Sequence, residues 1–327
     1  MEIFIREIYP VGHGGFALER VGNYSMVFDC GSKTNPTRVS QYINELKYKV
    51  DGKIDKFYIS HFDKDHVNSI QELINEVGIK EAVIPYIPND YTVVYNAMTG
   101  GAYSSMRRAL SIRGIEVVEL LEESVNQAIF DTTSRWEWIA KPMLSYSDWT
   151  ILGNELAKQG LEKGLLQDPK YVNEKKKTIN ECFKIVFGAK GPNSKGLILL
   201  SQKIKGHELS NLAIMNNVIK NTKGTGALYT GDANLISSQY VTDAQMFLQR
   251  RFREKLFLVQ IPHHGSRSNS GVNFDVQFLA RYYFFHDTTS KRIEKNRLLY
   301  QSLTRTNSLL NVRDVDTDII CQRIVIC

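Results

Sequence analysis

The sequence predicts an α/β protein in which sheets and helices form layers. Three observations carry that expectation. Short apolar runs with strand character alternate with segments of helical periodicity over the first ninety or so residues. Strand-like runs resume after about residue 195. Three of these runs end in metal-capable residues, His61, Asp232 and His263-His264, and the C-terminal ends of strands are where an α/β sheet lines a common crevice.

Composition narrows the class. A chain of 327 residues can bury a large core, as one large domain or two of average size. Hydrophobic residues at 43% and charged residues at 23% exclude wholesale disorder. A net charge of +6 and a pI near 8.9 are compatible with a polyanionic substrate without demanding one. The four cysteines, Cys30, Cys182, Cys321 and Cys327, form no C-x-x-C, which points to a reduced chain rather than a disulfide framework. The opening "MEIFIREIYPVGHGG" lacks the apolar stretch of a signal peptide. No run approaches the ~18 apolar residues of a membrane span. A cytoplasmic protein without membrane contact is expected.

The elements follow in order. "MEIFIREIYPV" reads as a strand running to Gly12. "GGFALERVGNYSMVFDCGS" reads as two strands joined by a turn at Gly22-Asn23, the second ending at Asp29-Cys30-Gly31. "PTRVSQYINELKYKV" places Val39, Ile43 and Leu46 on one helical face. "IDKFYIS" is a short buried strand that delivers His61 at its C-terminal end. In "VNSIQELINEVGI", residues Val67, Ile70, Leu73, Ile74 and Val77 keep helical spacing, so one helix is expected, stopped by Gly78. "EAVIPYIP" is the next strand.

Residues from about 91 to 195 break the rhythm. They hold all three tryptophans, Trp136, Trp138 and Trp149, and a charged, mostly helical stretch with Lys175, Lys176 and Lys177 in a row. We expect them to form an inserted, cap-like segment within a single domain spanning residues 1–327. The lysine run reads as a solvated helix face, with a phosphate-backbone contact as the alternative. In the last third, "KGLILLSQ" and "NLAIMNNVI" are strands and "TGALYTGDAN" is a strand entering a turn at Gly231-Asp232. "DAQMFLQRRFREKL" is a helix, and "FLVQIPHHGSRS" is a strand ending in Pro262-His263-His264-Gly265-Ser266.

The chemistry concentrates in "YISHFDKDHVNSI", residues 58–70, where His61, Asp63, Asp65 and His66 share six consecutive positions. Such groups are awkward neighbours unless a cation sits among them. A bound dication keeps carboxylates ionised and imidazoles neutral. The spacing can serve two ions, with His61 and Asp63 on one, Asp65 and His66 on the other, and Asp232 as a bridging carboxylate. Two ions roughly 3.5–4 Å apart can activate a water and stabilise the attacking and leaving oxygens of a displacement. The plainer reading is a polar strand-to-helix loop in which Asp63 or Asp65 caps the helix. The joint occurrence of three such stretches, each after a strand, weighs against it.

Ser60-His61-Phe62-Asp63-Lys64-Asp65-His66 resembles the signature of the metallo-β-lactamase fold, in the variant where the second histidine of His-x-His-x-Asp-His is an aspartate. With "TGDA" and "PHHGS" downstream, it is similar to the hydrolase domain of ComEC-type competence DNA-uptake proteins and their stand-alone relatives. The opening "VGHGGFALERVGNYSMVFDCGS" resembles that family's first strand pair. The resemblance spans residues 8 to about 85 and 195 to 285. It implies an αβ/βα four-layer sandwich with an insertion in the middle and a metal site at one edge of two facing sheets. It implies His61, Asp63, Asp65, His66, Asp232 and His263 as ligands of two divalent ions, with Asp29 supporting the metal loop from behind. Asp65 and His264 are then the catalytic candidates, and Lys64, Ser266 and Arg267 the substrate contacts. An aspartate in place of an imidazole hardens the site, so Mn²⁺ or Mg²⁺ competes with Zn²⁺. The chain departs from the family at Asn68-Ser69, where the family has Gly-Gly, and at His13 and Gly15. It also lacks the late Gly-His-Pro loop, for which His286 is the nearest substitute and His13 and His207 are spare candidates.

The function expected is a metal-dependent hydrolase, most directly a phosphodiesterase or nuclease acting on DNA or RNA, for which Arg107, Arg108, Arg250, Arg251 and Arg253 are further phosphate contacts. The tryptophans would pack in the core or stack bases. The alternatives are a lactone- or thioester-opening hydrolase, and a degenerate domain that binds metal or nucleic acid without turnover, with or without a protein partner.

Overall fold

The computed structural model of the protein describes residues 2–129, 135–188, 191, 195–215, 218–236, 238–251, 256–270, 273–286, 297–305, 309–311 and 319–326. In chain order its strands are β1 (Glu2–Ile8), β2 (Gly14–Val21), β3 (Tyr24–Ser32), β4 (Ile54–Tyr58), β5 (Ile79–Pro85), β6 (Glu116–Leu120), β7 (Ser124–Ile129) and β8 (Arg135–Pro142). They continue as β9 (Leu197–Lys205), β10 (Glu208–Met215), β11 (Val218–Asn221), β12 (Gly226–Tyr229), β13 (Leu256–Gln260), β14 (Tyr282–Phe285), β15 (Leu309–Asn311) and β16 (Ile320–Ile326). The helices up to residue 251 are α1 (Pro36–Leu46), α2 (Lys64–Val67), α3 (Ile70–Glu76), α4 (Thr92–Met98), α5 (Ala102–Ile112), α6 (Tyr146–Lys158), α7 (Pro169–Glu174), α8 (Lys176–Phe187) and α9 (Ser238–Arg251).

Two sheets result. One has nine strands in the order β11-β10-β16-β1-β2-β3-β4-β5-β6, and the other has seven in the order β15-β14-β13-β12-β9-β8-β7. Strands β3 to β6 are parallel neighbours joined by helical crossovers, as parallel pairing requires. Side chains alternate between two cores along each sheet. Met26 and Phe28 point toward the other sheet, while Val27 between them packs under helices. In β9, Leu197 and Leu199 join the core between the sheets, and Ile198 and Leu200 the core beneath the second helix layer. Helix, sheet, sheet and helix are therefore stacked in four layers, the αβ/βα sandwich expected.

Two local expectations change. The single helix expected over Val67–Val77 is two, α2 and α3, broken at Asn68-Ser69. The Asn68 amide donates to Ser32 O (2.7 Å) and accepts from Ser32 N (3.0 Å), which ties the break to β3. The segment 91–195 is not a cap inserted as one piece. β6 extends the nine-stranded sheet, and β7 and β8 belong to the other. The reason is packing: Trp136 and Trp138 are fully buried between the sheets, with Trp136 stacked on Phe4 at 3.6 Å. Only the helices on either side of these strands stand outside the sheets. Among the described residues no helix is long and apolar enough to cross a membrane.

A buried polar cluster joins the sheets near their centre. Arg6 Nε donates to Glu19 Oε1 at 2.6 Å, and Tyr229 Oη donates to the same oxygen at 2.7 Å. Trp138 Nε1 donates to Glu19 Oε2 at 2.5 Å, and the Ser201 hydroxyl donates there too. Arg6 also reaches Thr225 O (3.1 Å) and the Gln322 side chain. Removing one partner of a buried ion pair leaves the other charge uncompensated. We expect Glu19→Ala to lower unfolding free energy by about 3–5 kcal/mol in urea titrations. A loss below about 1 kcal/mol would show that the Glu19 carboxylate is dispensable for pairing the two sheets.

Candidate metal centre

The site forms where strands of both sheets end. β4 stops at Tyr58, and the extended residues after it lead through His61 and Asp63 into the single turn of α2, which carries Asp65 and His66. β12 leads to Thr230-Gly231-Asp232, and β13 to the turn Pro262–Gly265. His263 N donates to Gly231 O (2.9 Å), and Leu197 N to Ser60 O (2.7 Å), so main-chain bonds tie the converging segments together. At Gly231 (φ +51) an added Cβ would lie 2.6 Å from Ser60, so only glycine allows this approach.

Two groups of ligand-type side chains meet there. His61, His66 and Asp232 form the deeper one, all buried, with His66 Nε2 3.5 Å from Asp232 Oδ1 and His61 Nε2 3.6 Å from Asp232 Oδ2. Asp63 flanks it, 3.7 Å from His61 Nε2. His13, Asp65 and His264 form the second, with Asp65 Oδ2 3.2 Å from His13 Nε2 and 3.1 Å from His264 Nε2. The groups adjoin at Asp232, whose Oδ1 lies 3.9 Å from His264 Nε2.

One carboxylate orients both histidines of the deeper group. Asp29 accepts from Ser60 N (2.8 Å) and from the Ser60 hydroxyl (2.7 Å), and it meets His66 Nδ1 at 2.8 Å. Because the Ser60 hydroxyl gives its proton to Asp29, its oxygen accepts from His61 Nδ1 at 2.8 Å. Both rings therefore carry the proton on Nδ1 and turn the Nε2 lone pair inward. The backbone is strained to allow this. Asp29 (φ +55), His263 (φ +50) and His264 (φ +53) are the non-glycine residues with left-handed backbone among the described residues, and all three serve this site.

The electrostatics favour a cation. Burial works against ionising Asp65 and Asp232, yet the surrounding histidines outweigh it and hold both well below the usual carboxylate range. Burial also opposes a proton on His66 and His61, but Asp29 and Asp232 push His66 well upward, and Asp232 and Asp63 push His61 upward. At His264 burial dominates, with His13 and His66 acting in the same direction, and pulls it down to about 4. The clearest sign of an intended occupant is unsatisfied atoms. His61 Nε2, His66 Nε2 and Asp232 Oδ1 are buried without a hydrogen-bond partner. A buried polar atom left unpaired costs about 1–3 kcal/mol, and here three converge on one point. A divalent cation satisfies all three at once, so the residues present fit one.

The pairing differs from the expected one. His66 joins His61 and Asp232 rather than Asp65, because consecutive residues on a helical turn point about 100° apart. Asp65 instead faces His13 and His264. Asp63 stands at the helix N-cap but makes no capping bond. Both histidines of the pair reach a candidate ligand carboxylate: His264 Nε2 meets Asp65, and His263 Nδ1 meets Asp232 Oδ2 at 2.5 Å. Left-handed backbone at both splays the two rings, whose centroids are 5.8 Å apart. Sequence reasoning set His13 aside; its signal was the glycine-flanked turn before β2, which brings the ring over His264. His286 lies outside both groups, its Nε2 bonded to Tyr9 O at 3.1 Å and burial pulling it down to about 3. His207 sits in the β9–β10 turn, also outside both groups.

The expected substrate contacts scatter. Lys64 is exposed on α2 and Ser266 ends the histidine turn. Arg267 begins a short helix, its side chain outside the described residues, as is Arg253 altogether. Arg107 pairs with Glu119, Arg250 and Arg251 both pair with Glu123, and Arg108 is exposed. All three tryptophans are buried, so none is a base-stacking platform.

No protein-family model and no curated protein sequence matches this chain. Solved structures do resemble it. A mutant form of the β-hydroxylase CmlA aligns over 98% of this chain and 53% of its own, at 11% identity and a TM-score of 0.51. CmlA itself, a diiron β-hydroxylase from Streptomyces venezuelae, aligns over 98% and 54% at 12% identity and a TM-score of 0.48. Igni18, a metallo hydrolase from the archaeon Ignicoccus hospitalis, aligns over 97% and 98% at 12% identity and a TM-score of 0.46. The chain thus spans about half the length of CmlA. At these identities the likeness is one of fold, that of two sheets with flanking helices in four layers.

Two outcomes follow for metal binding. Equilibrium dialysis against Mn²⁺ gives two ions per chain for the wild type and one for His264→Ala; an unchanged count in the variant would remove the second group as a site. Asp29→Asn weakens binding about 10–100-fold in titration calorimetry, because the rings lose the acceptor that orients them.

Proposed function

We propose that the protein is a metal-dependent hydrolase whose substrate is a phosphodiester, most directly in DNA or RNA. The observation that carries the reading is the convergence of three unsatisfied, buried ligand atoms, on His61, His66 and Asp232, beside a second ligand group, His13, Asp65 and His264, that adjoins the first at Asp232. The motif resemblance to nucleic-acid-handling hydrolases and the basic net charge support the phosphodiester.

Divalent cations held by the two groups supply Lewis acidity toward water and the phosphoryl oxygens. The chain's own residues do the rest. Asp232 keeps its charge and links the groups. His13 and His264 hold Asp65 ionised and in place. His263 is 15% exposed, against 3% for His264, and its Nδ1 is engaged by Asp232. It is thus better placed than His264 to pass a proton through Nε2 to a leaving oxygen.

The test is hydrolysis of bis(p-nitrophenyl) phosphate with Mn²⁺, Zn²⁺ or Mg²⁺, beside a lactone and a thioester. Turnover of the diester is expected, with Asp232→Asn and His61→Ala reducing kcat by about 100-fold or more. His263→Gln should cost more with a poor alkoxide leaving group than with p-nitrophenolate, which needs no protonation. Faster turnover of the lactone or thioester would reassign the substrate, and two bound ions with no turnover of any substrate would favour a binding domain.

A further inference from the structure

Of the cations expected to meet a substrate, Arg107, Arg250 and Arg251 are engaged elsewhere, but Lys64 and Lys176 are not, nor is Lys170, for which no such role is expected from sequence. All three are exposed, and none has a carboxylate within ion-pair distance among the described residues. They line two depressions that meet at Gly100 and Gly101 and are taken together as one groove. A depression of about 340 Å³ runs from Lys64, Asn68 and Gln71 to Gly100 and Gly101. A second, of about 720 Å³, continues from the same two glycines to Asn96, Ser104, Lys170 and Lys176.

The composition of the groove is specific. None of its lining residues is acidic and none is aromatic, in a chain with 35 acidic residues. The saddle between the depressions is open: Gly100 (φ +60) and Gly101 (φ +85) are left-handed, and a Cβ on either would meet nothing within 4 Å. The first amides of α5 are already used, with Gly101 N on Asn96 O (2.9 Å) and Ser104 N on Asn96 Oδ1 (3.0 Å). The positive potential therefore comes from the lysines rather than from the helix end. Lys64 lies between Asp63 and Asp65, and the Asp63 side chain is 40% exposed where His61, His66 and Asp232 are at most 5%.

We propose that this groove binds the phosphodiester backbone of a single nucleic-acid strand and leads it past Lys64 to the metal centre. The inference rests on the phosphodiesterase reading above. Cations without stacking platforms read the backbone and leave the bases unread, so binding is independent of sequence.

The test is fluorescence anisotropy of labelled twelve-residue DNA and RNA single strands, in EDTA so that nothing is cleaved, at several salt concentrations. Lys170→Glu/Lys176→Glu is compared with Lys220→Glu/Lys223→Glu, which changes charge equally on and beside β11, away from the groove. Thermal melts check that both fold. The groove variant should bind at least tenfold more weakly than the control, with a log–log salt slope shallower by about 1.4, two contacts at about 0.7 each. Equal losses in both variants, no binding by the wild type, or displacement of the strand by polyglutamate at equal charge concentration would overturn the proposal. Binding is scored separately from hydrolysis. Lysine-dependent binding without diester turnover keeps the groove and sinks the hydrolase; turnover without lysine-dependent binding does the reverse.

Discussion

The metal centre depends on the Asp29 carboxylate. It sits at the end of β3 on a left-handed residue and accepts two hydrogen bonds from Ser60 at the end of β4. It takes a third from His66 on α2, and through the Ser60 hydroxyl it also governs His61. One anion thus sets the tautomer of two rings and the approach of two chain segments. A left-handed non-glycine residue costs about 1–3 kcal/mol and persists where its surroundings over-determine it. Three hydrogen bonds to one buried carboxylate are such surroundings.

Two polar islands interrupt an otherwise apolar sandwich, and their contrast separates structure from function. Around Arg6 and Glu19 the donors meet acceptors within the chain, which is how folded proteins tolerate buried charge. Around Asp232 they do not: lone pairs face one another across a gap that no protein donor fills. The first island needs no ligand and fixes how the sheets face each other. The second leaves three buried polar atoms unpaired, a cost that a bound cation would remove.

Exposure is graded across the second island. His61, His66 and Asp232 are sealed, Asp65 and His263 are partly open, and Asp63 faces outward. The open side of the site is thus the one that carries Asp63. Of the arginines expected to greet a polyanion, Arg107, Arg250 and Arg251 are bound to Glu119 and Glu123.

Periodicity made the layered α/β class legible, because strands buried on both faces and one-sided helices leave distinct apolar spacing. It also located β2, β3, α1 and β4 and the three stretches that bear ligands. It failed at Asn68-Ser69, where a side-chain bond to another strand overrides helical spacing. It failed again at residues 116–142, where buried tryptophans draw the chain into both sheets. Within the site, the density of His and Asp over 61–66 announced a metal, but spacing did not say who pairs with whom. Only the tertiary structure put His66 with His61, brought His13 to Asp65 and set His264 against Asp65 and His263 against Asp232. Those outcomes follow from the direction in which each backbone conformation aims its side chain and from contacts between strands of different sheets, and neither is encoded in the separation of residues along the chain.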